Sequence, residues 1–301
     1  MTPPAGNAGS RTDRAVPIAN DYETIEESSA RMKFSIVTIS FNQRAYLEQA
    51  MLSVLEQDHP EIEYIVVDPG STDGSRELIE RYSPRLSRVI FEPDAGAADG
   101  LNKGFRAATG EIFGFLNSDD VLLPQALSRV NQAFAEAPDA DIVMGNGFIV
   151  DRAGARVRHI HAAGFTARRF FYGASTWLQQ STFFRRGAFV AAGGFNPLNR
   201  SCWDGELALE MVLRGAKVQY LNQDLSLFRL HPQSITGSNR HKQMMKGDAD
   251  RMFQRAAGRR WSRLDSVRGC FYRLERLLTH PGALESALRA RAWRKLGAGA
   301  G

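Results

Sequence analysis

Cysteine is scarce: the 301 residues hold only Cys202 and Cys270. Two thiols build neither a disulfide framework nor a four-thiolate zinc site, and the default reading is a reducing, cytosolic compartment. Long apolar runs are missing too. No stretch approaches the roughly 18 uninterrupted apolar residues of a membrane-spanning helix. The first thirty residues contain Pro3, Pro4, Gly6, Gly9 and Pro17 but no apolar block. This excludes a secretory signal there and predicts a flexible leader over residues 1–31. Met32 stands just ahead of the first apolar run and is an alternative translation start, which would make the leader dispensable.

Neither sign of charge prevails strongly. Lys and Arg number 38 against 33 Asp and Glu, a formal net charge of +5. With 43% hydrophobic and 24% charged residues, the composition excludes wholesale disorder and a collagen-like fibre. The excess is unevenly placed. From Arg240 onward there are 15 Lys/Arg and 5 Asp/Glu, so this tail carries +10 and the remainder −5. The basic balance therefore belongs to the tail.

What is present is an alternation of strands and helices, without an internal repeat. Phe34-Ser35-Ile36-Val37-Thr38-Ile39 reads as a buried strand, and Tyr46, Leu47, Ala50, Met51, Val54 and Leu55 form one stripe of a helix. His59-Pro60 ends that helix. Tyr64-Ile65-Val66-Val67 is a second strand, a helix follows around Leu78 and Ile79, and Val89-Ile90-Phe91 is a third strand. A Gly-rich stretch, residues 96–100, leads into a helix from Leu101 to Ala108, and Ile112 to Leu116 is a fourth strand. Pro124 opens the next helix; a strand starts at Ile142, and Gly145 to His161 reads as a hairpin. This order predicts an α/β fold with right-handed crossovers and a mostly parallel, Rossmann-related sheet flanked by helices.

Acidic residues gather where strands end: Asp68 after the second, Asp119 and Asp120 after the fourth. Ligands of open parallel sheets bind outside the carboxyl ends of strands, and adjacent aspartates there suit a cation held against phosphate. The plainer reading is that they cap the helix that follows.

Four segments in order resemble the family 2 glycosyltransferases of GT-A fold. They are Ser35 to Asn42, Val66 to Gly74, Asn102-Lys103-Gly104 with Ala107 to Glu111, and Leu116 to Asp120. The likeness runs from about Phe34 to Ser238, which delimits a GT-A domain over residues 32–239 between the leader and a basic helical tail, residues 240–301. The resemblance implies a nucleotide-sugar donor lying against Thr38, Phe41, Asp68, Asp94, Lys103 and Asp119, with Asp68 on the nucleobase. Pro69 stands where many relatives have a second acid. It implies Mn²⁺ or Mg²⁺ on Asp120, with Asp119 on the ribose or in the metal's water shell. His231, in a segment resembling the end of the family's catalytic domain, would serve the metal as a neutral imidazole or donate to the diphosphate.

Trp203-Asp204-Gly205-Glu206-Leu207 is similar to the family's acidic motif beside the acceptor. Asp204 is the expected general base, with Glu206 as its fallback, and Gln180 and Trp203 are expected acceptor contacts. Direct attack opposite the leaving group would invert the anomeric carbon. Each role has a plainer rival. Asp68 is also a turn residue, Asp73 and Asp204 are helix N-caps, Lys103 is a solvated helix lysine, and His231 is a loop histidine.

The tail sets Arg251, Arg255, Arg259, Arg263 and Arg268 beside Phe253, Trp261, Leu264 and Phe271. Such helices suit an anionic membrane surface, which would place the chain peripherally on the inner face, or they pack back on the domain. No nucleic-acid module accompanies the charges. The implied role is transfer to a glycan or lipid-linked acceptor in polysaccharide synthesis. A sugar nucleotidyltransferase would need a basic, glycine-rich loop after its first strand, and Phe41-Asn42-Gln43-Arg44 is not one. A non-catalytic sugar-binding relative would have no reason to keep Asp68, Asp119, Asp120 and Asp204.

Overall fold

The computed structural model describes residues 1, 31–231, 234 and 242–279. The leader expected over residues 1–31 therefore lies almost wholly outside the described residues, as does the tail beyond residue 279.

Three βα units and a fourth strand build the first half. They run β1 (Phe34–Ile39), α1 (Arg44–Leu55), β2 (Ile62–Val67), α2 (Ser75–Tyr82), β3 (Arg88–Ile90), α3 (Ala97–Ala107) and β4 (Ile112–Asn117). The second half holds β5 (Val121–Leu122), α4 (Ala126–Glu136), β6 (Ile142–Val150), β7 (Arg156–Ile160), α5 (Ala167–Phe171), β8 (Thr182–Arg185), α6 (Arg186–Ala192), α7 (Trp203–Leu213) and β9 (Val218–Arg229). Two helices close the described chain, α8 (Lys242–Ala257) and α9 (Arg263–Thr279). Among the described residues the strands form one nine-stranded sheet of order β3-β2-β1-β4-β8-β6-β9-β5, with β7 paired to β6. Strands β1 to β4 are mutually parallel, whereas β8 runs antiparallel to both β4 and β6.

Both faces of this sheet are covered, which is why its strands read as near-continuous apolar runs. Phe34, Ile36, Tyr64 and Val66 face a core completed by α1, α2 and α4; Val37, Ile65, Val67 and Phe113 face one completed by α3, α6 and α7. Gly104 permits the closest of these approaches. A Cβ there would lie 2.4 Å from Val37 Cγ1, so α3 rests directly on β1. The chain leaves β1 for β2 on one side, while β4 pairs on the other. That reversal opens a crevice at the carboxyl ends of β1 and β4, the topological switch point.

Three elements differ from the sequence reading. Helix α3 starts at Ala97 inside the Gly-rich stretch, because Asp94 Oδ1 accepts the Gly96 N–H (2.8 Å) and Asp99 Oδ2 accepts that of Ala95 (3.0 Å), which organises the turn. Strand β5 and the twelve-residue β9 carry no clean alternation, yet they pair with each other and β9 with β6. The tail helices pack back on the domain. Tyr172 stacks on Tyr272 (5.1 Å between centroids), Phe171 meets Phe253 edge-on, and Arg169 pairs with Glu275 at 2.8 Å. No helix among the described residues is long and apolar enough to cross a membrane.

Candidate active site

A cavity of about 790 Å³ fills the crevice at the switch point. The β1–α1 connection contributes Ser40, Phe41 and Gln43; the β3–α3 turn, Asp94 and Gly96; the end of β4, Asn117, Ser118 and Asp119. Across from them stand Trp177, Gln179, Gln180, Arg200, Ser201, Trp203 and Asp204. Sequence-distant carboxylates, Asp94, Asp119 and Asp204, therefore share one cavity.

The two adjacent aspartates do different things. Asp119 lines the cavity, and its Oδ2 lies 3.0 Å from Nε2 of the buried His231. Asp120 is fully buried and does not reach the cavity: Gln180 Nε2 (2.6 Å), Asn117 Nδ2 (3.2 Å) and the Arg229 N–H (2.9 Å) all donate to it. Burial first, and then the charge of Asp119, push the Asp120 carboxyl well above the usual carboxylate range. Asp120, the residue expected on the metal, is thus held by three protein donors and lies outside the cavity wall, whereas Asp119 lines it. Arg229 locks the same corner, with Nε on the Asp119 carbonyl (3.0 Å) and a terminal nitrogen on Gln49 Oε1 (2.8 Å).

Asp204 sits in the first turn of α7 and lines the cavity half-buried. Burial raises its carboxyl above the ordinary aspartate range, against the lowering pull of the backbone N–H groups of Gly205 and Asp204. Glu206, the fallback base, points elsewhere. Its carboxylate accepts from Asn196 Nδ2 (3.0 Å) and Asn199 Nδ2 (2.7 Å) and pairs with Arg251 of α8 (3.0 Å), so it is a structural anchor. Beside it, Asp248 of α8 accepts from Ser201 Oγ (2.6 Å) and from Arg251 (2.7 Å). The tail thereby holds the loop that carries Arg200 and Ser201 into the cavity.

Three further residues expected on the donor lie outside the cavity wall. Thr38 shares its face of β1 with Phe34 and Ile36, away from the cavity, and its hydroxyl pairs with Tyr64 Oη at 2.9 Å. Asp68 is fully buried and absorbed by its own turn: the N–H groups of Gly70 (2.9 Å) and Ser71 (2.8 Å), Ser71 Oγ (2.5 Å) and Arg76 Nε (3.2 Å) all donate to it. Only its neighbour Pro69 lines the cavity. Lys103 faces Asp99 at 3.7 Å and donates to the Pro93 carbonyl, which braces the β3–α3 turn from outside the cavity. Phe41, Asp94, Gln180 and Trp203 do line it, Phe41 with 59% of its surface exposed. Burial raises the Asp94 carboxyl above its ordinary range.

Sequence reasoning missed Ser40 and Arg200. The Ser40 hydroxyl and the Trp203 indole Nε1 are both buried without a hydrogen-bond partner, and both residues line the cavity. Buried unpaired donors in a cavity wall are free to meet a ligand or an ordered water. Ser40 stands within a motif already singled out; nothing in the sequence distinguishes Arg200 from other loop arginines.

Comparisons with known proteins bear on the family and the fold. The glycosyltransferase alr2836 of a Nostoc species is 28% identical over 239 residues, covering 75% of this chain and 72% of that protein. TuaG of Bacillus subtilis, a glycosyltransferase named for teichuronic acid biosynthesis, is 43% identical over 89 residues, 29% of this chain and 35% of its own. Among solved structures, Staphylococcus aureus TarS 1–349 in complex with UDP superposes with a TM-score of 0.60 at 19% identity, covering 82% of this chain and 71% of that one. The mannosyltransferase PcManGT of Pyrobaculum calidifontis, in complex with GDP-Man and Mn²⁺, gives 0.57 at 18% identity over 90% of this chain and 80% of its own. The α/β architecture is therefore the GT-A-like fold of those enzymes. Residues 35–192 match the model of Glycosyl transferase family 2, more than half of the chain, and to that family the chain belongs.

Proposed function

We propose that the protein is an inverting, metal-dependent transferase that moves a sugar from a nucleoside diphosphate to a hydroxyl of a glycan or lipid-linked acceptor in polysaccharide synthesis. The observation that carries this reading is the meeting of Asp119 and Asp204 in the walls of one cavity at the switch point. The UDP of TarS and the GDP-Man of PcManGT support a nucleotide-sugar donor by analogy of fold.

Asp204 is the base. Its raised pKa makes the carboxylate a better proton acceptor than an exposed aspartate. As it takes the acceptor hydroxyl's proton, that oxygen bonds to the anomeric carbon while the bond from that carbon to the diphosphate oxygen breaks on the opposite face. The configuration inverts, and the diphosphate departs with the bonding electron pair.

Among the described residues no group of three His, Cys, Asp or Glu side chains could cage a metal. Asp119 with His231 still fits Mn²⁺ or Mg²⁺, which take few protein ligands and complete an octahedron with phosphate oxygens and water. Those two residues would hold the ion, and when bound it supplies neutralisation of the charge that develops on the leaving diphosphate. Gln180 shapes this end of the cavity through Asp120.

A membrane partner is favoured by α9. Leu264, Val267, Phe271, Leu274 and Leu278 follow one another at alternating spacings of three and four, and each is more than half exposed. Exposed Arg260, Arg263, Arg268 and Arg273 accompany them. An anionic surface answers both the apolar row and the charge, whereas a second copy would set like charges together. This supports a peripheral position on the cytoplasmic face of a membrane.

A thermal-shift panel of UDP- and GDP-sugars with Mn²⁺ tests the reading. At least one donor should raise the melting temperature by mass action, and more so with metal than without. Silence across the panel, or pyrophosphate release from nucleoside triphosphates, would contradict it, the latter in favour of a nucleotidyltransferase.

A further inference from the structure

A second cavity of about 290 Å³ shares Gly96, Ala97, Arg200 and Trp203 with the large one. The rest of its wall is Ala98, Pro197, Asn199 and Met244. Asn199 has no polar capacity to spare on this side: its amide donates to Glu206 (2.7 Å) and its oxygen accepts the N–H groups of Ser201 (3.0 Å) and Cys202 (2.9 Å). The annex is consequently apolar, and helix α8 supplies part of it through Met244.

Three groups at the junction favour negative charge, beside the Asp94 carboxylate that already accepts the Gly96 N–H. Arg200 is exposed and makes no hydrogen bond or ion pair with any described residue; its guanidinium lies over Gly96, where a Cβ would sit 2.2 Å from a terminal nitrogen. Gly96 itself has φ +123°, a conformation that favours glycine. Gly96 is the N-cap of the eleven-residue α3, so the positive end of that helix faces the same place. Trp203 is 8% exposed, yet its indole N–H has no partner. Among the described residues Arg200 is the one cation in the walls of either cavity.

A cation, a helix N-terminus and an unpaired indole donor bordering an apolar annex suit one kind of ligand. We infer that this junction binds an amphiphilic phosphate ester, with its phosphate on Arg200, the Trp203 N–H and the first turn of α3, and its hydrocarbon in the annex against Pro197 and Met244. The inference rests on the transferase reading and deepens it: the acceptor is a phosphate-bearing lipid, and it enters beside Asp204. Oxyanions at this place have a second source in the donor's own diphosphate, which the test separates.

Isothermal titration of the full chain, without donor, compares geranyl phosphate, geraniol and inorganic phosphate, with UDP as the donor-side probe. Geranyl phosphate should bind about tenfold or more tighter than either fragment alone, because charge and apolar burial act on one molecule. Arg200→Gln should weaken geranyl phosphate about tenfold and leave UDP within about twofold. Met244→Asp should weaken geranyl phosphate and leave inorganic phosphate unchanged. Both side chains are exposed, so melting temperatures near wild type will show that the variants fold. Equal affinities for geranyl phosphate and inorganic phosphate would overturn the inference. So would indifference to Arg200→Gln, or an equal loss of UDP, which would assign Arg200 to the diphosphate. Sugar-nucleotide stabilisation that survives such a failure leaves the transferase reading standing, and loss of that stabilisation alone removes only the reading beneath.

Discussion

Asp119 and Asp120 are adjacent in the chain and opposite in environment, one in a cavity wall and the other buried among donors. Their substitutions should therefore separate stability from activity. Asp120→Ala leaves the Gln180 amide and the Arg229 N–H unpaired in the interior, a loss of about 2–4 kcal/mol in denaturant unfolding. Asp119→Ala should cost only about 1 kcal/mol, the worth of its His231 contact, yet lower metal-stimulated turnover about 100-fold or more. At Asp204 the sign of the pH effect follows from burial. A base works deprotonated, so a raised pKa moves the acidic limb of kcat/KM above the pH where an ordinary aspartate would place it. Because ionising Asp204 is harder in the folded chain than in the unfolded one, Asp204→Asn should hold or raise the melting temperature at pH 7. Its turnover should nevertheless fall about 10²–10⁴-fold. The types and positions of these acids were legible in the sequence, since polar residues at strand ends stand out against apolar runs. Which carboxylate faces the cavity was not, because Asp68, Asp119 and Asp120 differ by donors that come from Arg76, His231, Gln180 and Arg229.

At the scale of elements, α8 works as a clamp. Asp248 and Arg251 hold Ser201 and Glu206, and through them the loop that precedes α7. Asp248→Ala should lower kcat about tenfold through misplacement of that loop while the donor's KM stays near wild type. Steady-state kinetics with both substrates varied will show the split. Asp265 fixes the start of α9 in the same manner. Arg259 foremost, with Ser262 and Tyr172, holds its carboxyl far below the usual carboxylate range. Its folded pKa is thus depressed, so the stability it lends is present above the unfolded value of about 3.9 and is lost as pH falls below it. Tail docking, followed by Trp261 fluorescence, should persist at pH 5 and weaken progressively as pH falls below about 3.9. Strands β1, β2 and β4 were readable because a sheet covered on both faces gives unbroken apolar runs. Strand β9 was not: it begins with the exposed or half-buried segment Val218–Asp224 and reaches the core only at Leu225. Packing of the tail was hidden as well, since the same arginines and aromatics serve a docked helix and a lipid surface.

For the molecule as a whole, charge and apolar surface point to the tail as the part that meets a large partner. Flotation with vesicles containing anionic lipid should carry the full chain upward, and a Leu264→Ser, Phe271→Ser, Leu278→Ser variant should stay below with its melting temperature unchanged. Salt should weaken the wild-type interaction, as each basic residue near such a surface contributes about 1 kcal/mol. The central claim, however, concerns the cavity at the switch point, where Asp119 and Asp204 are to meet one metal-bound, activated sugar. Release of nucleoside diphosphate from a sugar-nucleotide, followed with and without Mn²⁺, addresses it most directly. The account predicts slow release to water that depends on the metal, falls steeply in Asp119→Ala and Asp204→Asn, and survives in Thr38→Val. Release that ignores the metal and both aspartates would contradict it.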